Sequence, residues 1–213
     1  QYPYFSDHSK ETFSLILDAA EQIAEKSLYP IFKEMDRNEP QLENGIVKVH
    51  PKMREIIRQF GTDGWINAIF PYEEGGQQLP WTIHLSAGFI LQAANYSASV
   101  FPFLTTGAAN LIRTFGSSEL RDAFTPKMYS GEWQGTMALT EPDAGSDPAG
   151  MKTRAEKVQG GYVLNGAKMW ISNAPIADVF VIWAKSDAHG GKIRGFVLEK
   201  GMAGLSAPAI HSK

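Results

Sequence analysis

The sequence predicts a helical N-terminal bundle domain followed by a small antiparallel β-barrel or sandwich domain, with residues 1–132 in the first and 133–213 in the second. Three observations predict it. Through the first part of the chain, apolar residues recur three and four apart, which is the period of one helix face. From about Trp133 the texture changes to short apolar runs separated by glycine turns, as in strands. The length of 213 residues, 43% of them hydrophobic, is enough to bury one good core or two modest ones.

The helices follow in order. Phe13, Leu17, Ala20, Ile23, Ala24 and Leu28 share one face, and Ser6 or Asp7 is placed to cap its start. Pro51 stands where a first helical turn tolerates proline; Met53, Ile56, Ile57 and Phe60 follow on one face, with Gly61 and Gly64 as stops. The run from Trp81 to Ala94 is apolar nearly all round, which predicts a buried helix. Leu104 to Phe115 reads as another helix, closed by Gly116. Leu120, Phe124 and Met128 continue the pattern after Ser117, and Pro126 is expected to kink or divide that last helix.

The strands come next. Tyr162 to Leu164 and Ala167 to Ile171 flank Asn165-Gly166, which predicts a hairpin, and Gly160-Gly161 makes a tight turn just before. Val179 to Ala184 is a continuous apolar strand, Asp187 to Lys192 a turn, and Arg194 to Glu199 the next strand. No internal repeat or low-complexity linker interrupts this order.

Composition excludes several classes. The net charge is −3 and scattered, so neither a nucleic acid nor a membrane surface is an electrostatic partner. Cysteine is absent, which rules out disulfides, thiol chemistry and Cys-ligated metals and fits a reducing compartment. His8, His50, His84, His189 and His211 lack metal-ligand spacing. No apolar run approaches the roughly 20 residues of a membrane-spanning helix. The start, Gln1-Tyr-Pro-Tyr-Phe5, has neither a signal-peptide layout nor an initiator methionine. Gly75-Gly76 lacks the lysine of a phosphate loop and reads as a turn.

Two runs carry chemistry: Met137-Ala-Leu-Thr-Glu-Pro-Asp-Ala-Gly-Ser-Asp147 and Lys168-Met-Trp-Ile-Ser-Asn173. If the second is a strand, Trp170 and Ser172 point to one face, an indole plane beside a hydroxyl. That pair suits a flat heteroaromatic ring with a hydrogen-bonding edge. Thr140, Gly145 and Ser146 can offer hydroxyls and bare N–H groups to an anionic tail, and a flavin with its pyrophosphate has both parts. The plainer reading makes Trp170 a core aromatic and Thr140 and Ser146 turn formers. Glu141 and Asp147 read as turn acceptors or caps, and Trp65, Trp81, Trp133 and Trp183 as packing residues.

Leu139-Thr-Glu-Pro-x-x-Gly-Ser-Asp147 and Trp170-Ile-Ser172 resemble the two flavin-binding signatures of the acyl-CoA dehydrogenases, and the resemblance covers nearly the whole chain. It implies FAD as cofactor, α,β-desaturation of an acyl-CoA thioester in fatty-acid metabolism, and an electron-transfer flavoprotein as electron acceptor. It implies that Met137, Leu139 and Thr140 contact the isoalloxazine edge, and that Ser146 meets the pyrophosphate or the CoA phosphopantetheine, with Gly145 allowing close approach. Trp170 would cover the ring face away from substrate, and Ser172 would hydrogen-bond N5. Family members continue into a C-terminal helical domain, which supplies the catalytic glutamate in most branches. That domain is expected to be absent from this chain, so no catalytic residue is assigned here.

Residues 151–213 resemble the glutaryl-CoA dehydrogenases most, and residues 60–136 the large-subunit branch with the methylthiopropionyl-CoA dehydrogenases. In the glutaryl branch an arginine on the helix lining the acyl pocket pairs with the second carboxylate. Tyr96 stands at that place, as a substrate-binding residue, and no Lys or Arg lies between Trp81 and Arg113, so a neutral acyl chain is expected. Arg113 would be about four helical turns further on, with a turn between. A homodimer or homotetramer is expected, in the cytoplasm, or in the mitochondrial matrix of a eukaryote. An acyl-CoA oxidase, a glutaryl-CoA dehydrogenase and a non-catalytic flavin- or acyl-CoA-binding relative remain as alternatives.

Overall fold

Ser9, rather than Ser6 or Asp7, caps the first helix in the computed structural model, which describes residues 2–210. Its hydroxyl accepts from the Thr12 N–H (3.2 Å) and the Ser9 N–H donates to the Thr12 hydroxyl (2.8 Å), a reciprocal cap that satisfies two backbone donors. Helix α1 (Lys10–Ile23) runs on through a widened turn (Ala24–Leu28) and a 3₁₀ turn (Tyr29–Ile31) into α2 (Phe32–Arg37). Ala20, Ile23, Ala24 and Leu28 are buried, as their spacing predicts, and Ile31 joins them.

A hairpin follows, β1 (Gln41–Glu43) with β2 (Ile46–Lys48), turned by Asn44-Gly45 with φ of 51° and 75°. Both turn residues are left-handed, as a two-residue hairpin turn requires. Helix α3 (Met53–Thr62) buries Met53, Ile56, Ile57 and Phe60. Gly61 lies inside it, not at its stop. A Cβ there would fall 2.2 Å from the carbonyl carbon of Ser130, so α3 meets another backbone directly at this residue.

Helix α4 (Trp81–Phe115) has two arms, 81–94 and 96–115, broken by the extended backbone of Asn95 (φ −164°, ψ 94°). The reversal is sharp enough to bring the His84 ring within 5.9 Å of the Phe103 ring, edge to face. Asn95 makes the break stable. Its Oδ1 accepts from the Ala98 N–H (3.1 Å), capping the second arm, and its Nδ2 donates to the Leu28 carbonyl (3.2 Å). The second arm thus starts eight residues before the expected Leu104. Nor is the first arm buried all round: His84, Ala87 and Leu91 face the core, but Trp81, Leu85 and Phe89 are 59%, 62% and 75% exposed.

Helix α5 (Ser118–Tyr129), capped by Ser117, is not divided by Pro126. Only the Asp122 carbonyl loses its helical donor, and Asp122 is exposed to water that can replace it.

The β domain is a five-stranded sheet of β3 (Gly135–Ala138), β4 (Arg154–Val158), β5 (Gly161–Asn165), β6 (Val179–Ser186) and β7 (Lys192–Glu199). The helical-then-β order stands as predicted, but the pairing is mixed rather than all antiparallel. Along one edge of β6, β3 pairs with residues 179–182 and β4 with 185–186, both parallel; β7 lines the other edge antiparallel. Parallel pairing arises because β3 and β4 reach β6 by long excursions instead of tight turns. The β4–β5 hairpin turns at Gln159-Gly160. Asn165-Gly166 forms no hairpin, and residues 166–171 form no strand. Gly166 instead lies hard against Thr153, whose Oγ1 would be 2.3 Å from an added Cβ.

Two clusters make up the core. One lies among the helices around Met53, Phe60, Ile66 and Leu91. The other joins Ala108, Ala109, Ile112, Phe124 and Met128 to Val179 and Val181 of β6. At this seam the Thr105 hydroxyl donates to Gln134 Oε1 (2.9 Å) and accepts from the Gly135 N–H (3.2 Å).

Candidate functional site

Strand β3 sends alternate residues to opposite faces. Thr136 and Ala138 are buried, whereas Met137 is 43% exposed on the other side. Beyond the strand, Leu139 and Thr140 are half-buried, and the chain closes a tight turn in which Glu141 and Ala144 exchange both backbone bonds (3.0 and 3.2 Å). Gly145 and Ser146 are exposed past this turn, and a Cβ on Gly145 would meet nothing within 4 Å. Asp147 accepts from the Ala149 N–H (3.0 Å), the capping role its position predicts.

Glu141 is buried and fully engaged. It accepts from the N–H groups of Lys152 and Thr153 and from Lys168 Nζ at 2.7 Å. Burial pushes its carboxyl up, but the hydrogen bonds from Lys168, Thr153 and Lys152 outweigh this and hold it at about 2. Lys168 also donates to the Leu139 carbonyl (3.1 Å), and the Met169 N–H donates to the Thr140 carbonyl (2.9 Å). The two chemistry-bearing runs are thereby laid side by side. Lys168 was not singled out as a site residue by the sequence. A lysine opening an apolar run was the available signal, but its partner is 27 residues away.

Trp170 is not on a strand. Its backbone is left-handed (φ 60°), uncommon for so bulky a residue, and the residue is 42% exposed. Ser172 is exposed at the start of a turn, so no strand alternation puts the two on one face. Asn173 is buried beyond it. The structure thus joins Leu139 and Thr140 to Lys168 and Met169, with Met137 just before the first pair, Trp170 to Ser172 just after the second, and Gly145 and Ser146 on the loop that follows Glu141. Tyr96 stands apart on α4, one residue past the break and 60% exposed. The other tryptophans divide: Trp65 is buried and Trp133 and Trp183 half-buried, but Trp81 is largely exposed, with its ring edge-to-face with His84.

The two joined runs offer an exposed indole (Trp170), an exposed thioether (Met137) and the hydroxyls of Thr140, Ser146 and Ser172. The charges of Glu141 and Lys168 are spent on each other. Such a surface fits a flat ring with a polar edge and an anionic tail, which are the parts of a flavin dinucleotide. Among the described residues no group of His, Asp and Glu could hold a metal, and no helix is long and apolar enough to cross a membrane.

Comparison with known proteins gives the family. Residues 10–132 match the model of the acyl-CoA dehydrogenase N-terminal domain and residues 136–213 that of the acyl-CoA dehydrogenase middle domain. The chain belongs to the acyl-CoA dehydrogenase family. It is 33% identical to the mitochondrial isovaleryl-CoA dehydrogenase of Solanum tuberosum over 192 residues, 89% of this chain and 44% of that protein. Among solved structures, a glutaryl-CoA dehydrogenase from Mycobacterium smegmatis superposes with a TM-score of 0.83 at 32% identity, covering 97% of this chain and 50% of the other. A glutaryl-CoA dehydrogenase from the same organism in complex with FADH2 gives 0.80 at 26% identity, covering 100% and 53%. The chain spans about half the length of the relatives it matches.

Proposed function

We propose that this chain supplies the helical and middle domains of an FAD-dependent enzyme that desaturates an acyl-CoA thioester between its α and β carbons. The observation that supports the reading is the joining of Leu139 and Thr140 to Lys168 and Met169, which lays the run that ends in Ser146 beside the run that carries the exposed Trp170 and Ser172. FAD, when bound, accepts hydride from the substrate and passes electrons on, with an electron-transfer flavoprotein as the proposed acceptor. The chain's own residues bind and orient. Met137, Leu139 and Thr140 would hold the ring edge, Trp170 would cover one face and exclude water, and Ser172 would donate to the ring nitrogen that receives hydride. Ser146 would bind a phosphate, from FAD or from CoA, with Gly145 leaving the approach open. All three acids of the motif are engaged elsewhere: Glu141 with Lys168, Asp143 with Lys152, and Asp147 as a cap. The base is proposed to come from the part of the relatives' length that this chain does not span.

A neutral acyl group is the proposed substrate class. A second carboxylate would need a buried cation. Tyr96 offers none, and the turn expected between it and Arg113 is not there. The break in α4 precedes Tyr96, so Arg113 lies ~25 Å further along one continuous arm. Arg113 is also engaged, 2.7 Å from Glu74 Oε2 and with its guanidinium 4.9 Å from the Phe70 ring centre. A homodimer or homotetramer is proposed, located in the mitochondrial matrix if the source is eukaryotic, as in the relatives named mitochondrial.

The test has two parts. The 213-residue chain should bind FAD weakly, because it offers one wall of the site, and a fluorescence titration measures this. The full-length enzyme should lose its flavin absorbance with straight, branched or cyclic neutral acyl-CoAs in preference to glutaryl-CoA. Preference for glutaryl-CoA with release of carbon dioxide overturns the neutral reading. Fast reoxidation in air identifies an oxidase, and no bleaching with any acyl-CoA a non-catalytic relative.

A further inference from the structure

We infer that the buried Glu141–Lys168 pair is a positioning device, which fixes residues 168–172 against the end of β3 and so holds Trp170 in its left-handed conformation. The inference rests on the reading of this surface as a flavin site.

Trp170 has a backbone conformation that its side chain disfavours, so the surrounding structure must impose it. Three anchors do so. Lys168 precedes it by two residues and is tied at once to the Glu141 carboxylate (2.7 Å) and the Leu139 carbonyl (3.1 Å). The Met169 N–H is committed to the Thr140 carbonyl (2.9 Å). Asn173 follows, fully buried, with its amide on the carbonyls of Phe101 (3.2 Å) and Gly135 (2.9 Å). Residues 170–172 must cross between fixed points, which leaves their backbone little choice.

Lys168 and Glu141 are the adjustable part of this frame. A bidentate grip by one ammonium on both a side chain and a main-chain carbonyl sets register, since sliding the segment would break both bonds together. A buried ion pair is a poor source of net stability. Removing one partner is costly, but replacing both is often close to neutral. That difference separates a positioning role from a merely structural one.

The experiment compares Lys168→Met, Lys168→Arg and the double variant Lys168→Met/Glu141→Gln in the 213-residue chain. Each is read by thermal unfolding, by FAD titration, and by amide exchange at Met169 to Ser172. Lys168→Met alone should lower both the melting temperature and the FAD affinity. The double variant should recover most of the melting temperature, yet bind FAD about 10-fold or more weakly than the unsubstituted chain, because orientation and not folding is lost. Its amides at 169–172 should exchange at least about 10-fold faster while the rest of the sheet stays protected. Lys168→Arg, which keeps the charge on a larger planar group, should bind FAD more tightly than Lys168→Met and less tightly than the unsubstituted chain. FAD affinity that follows melting temperature through the whole series overturns the inference. So does unchanged exchange at 169–172 in the double variant. If the unsubstituted chain binds FAD too weakly to titrate, the exchange measurement decides the positioning role alone, and the flavin reading is decided by bleaching of the full-length enzyme with acyl-CoAs.

Discussion

The side-chain amide of Asn173 donates to the carbonyl oxygens of Phe101 in α4 and Gly135 in β3, at 3.2 and 2.9 Å. One buried group therefore joins the second arm of the long helix, the first strand of the sheet and the turn that follows Trp170. Asn173→Leu keeps the approximate volume but removes both donors. It should destabilise the chain by about 2 kcal/mol, because two interior carbonyls lose their partner. Urea unfolding measures this, and an unchanged midpoint would show that the two amide bonds add no net stability.

Acid should loosen the loop that carries Ser146. The Glu141 carboxyl is held at about 2, below its ordinary value of 4.5, so the unfolded chain binds the proton more readily. The stabilisation is complete above about pH 4.5 and lost as the pH falls through the interval down to about 2. At full strength it amounts to at most ~3 kcal/mol. Unfolding free energies measured from pH 6 to pH 2.5 should fall in that window. Glu141→Gln should start lower at pH 6 and show a shallower decline.

Two glycine substitutions should have opposite signs. Gly61→Ala drives a Cβ to 2.2 Å from the Ser130 carbonyl carbon, and backbone on both sides cannot yield cheaply. A loss of about 3 kcal/mol is expected, at the upper end of overpacking effects. Gly107 lies in the second arm of α4 with nothing within 4 Å of its would-be Cβ. Gly107→Ala should raise stability by roughly 0.5–1 kcal/mol through helix propensity and a less flexible unfolded chain. Melting temperatures of the two variants should bracket that of the unsubstituted chain.

Trp170 should matter more to ligand than to fold. It is 42% exposed, and its φ of 60° is one that glycine adopts without strain. Trp170→Gly should leave the melting temperature within a few degrees or raise it, while FAD affinity drops by about 10-fold or more through lost stacking area. A variant that unfolds readily but still binds FAD would identify the indole as a packing group.

Much of this architecture was legible from residue spacing, and the exceptions have physical causes. Faces such as Met53, Ile56, Ile57 and Phe60 declared themselves because burial on one side demands the helical period. The end of the first arm at Ala94 was legible too, but the restart at Tyr96 was not, since a single polar amide with two interior partners makes the whole break. The Asn-Gly pairs are equally instructive. Asn44-Gly45 turns a hairpin because Ile46 to Lys48 can pair back on Gln41 to Glu43. Asn165-Gly166 does not, because the residues that would pair back are claimed elsewhere, Met169 by Thr140 and Lys168 by Glu141. At the site, the two runs were legible as sequence and the structure joins them, but not as the strand the spacing of Trp170 and Ser172 predicted. The left-handed Trp170 and the lysine that steers it were not, since both depend on contacts made far along the chain.

Strand β6 has a neighbour on each edge, and its partners arrive at very different times. On a ribosome, β3 emerges early and then waits through more than forty residues before β6 can join it, as the span from Gln134 to Asp178 shows. Until Val179 and Val181 appear, the helical half must hold Ala108, Ala109 and Ile112 open to water. Pairings this remote in sequence form slowly, and a half-made sheet leaves adhesive edges on display. The seam between the two domains is the last region of the core to dry, and the nascent chain is most exposed to misassociation while it waits.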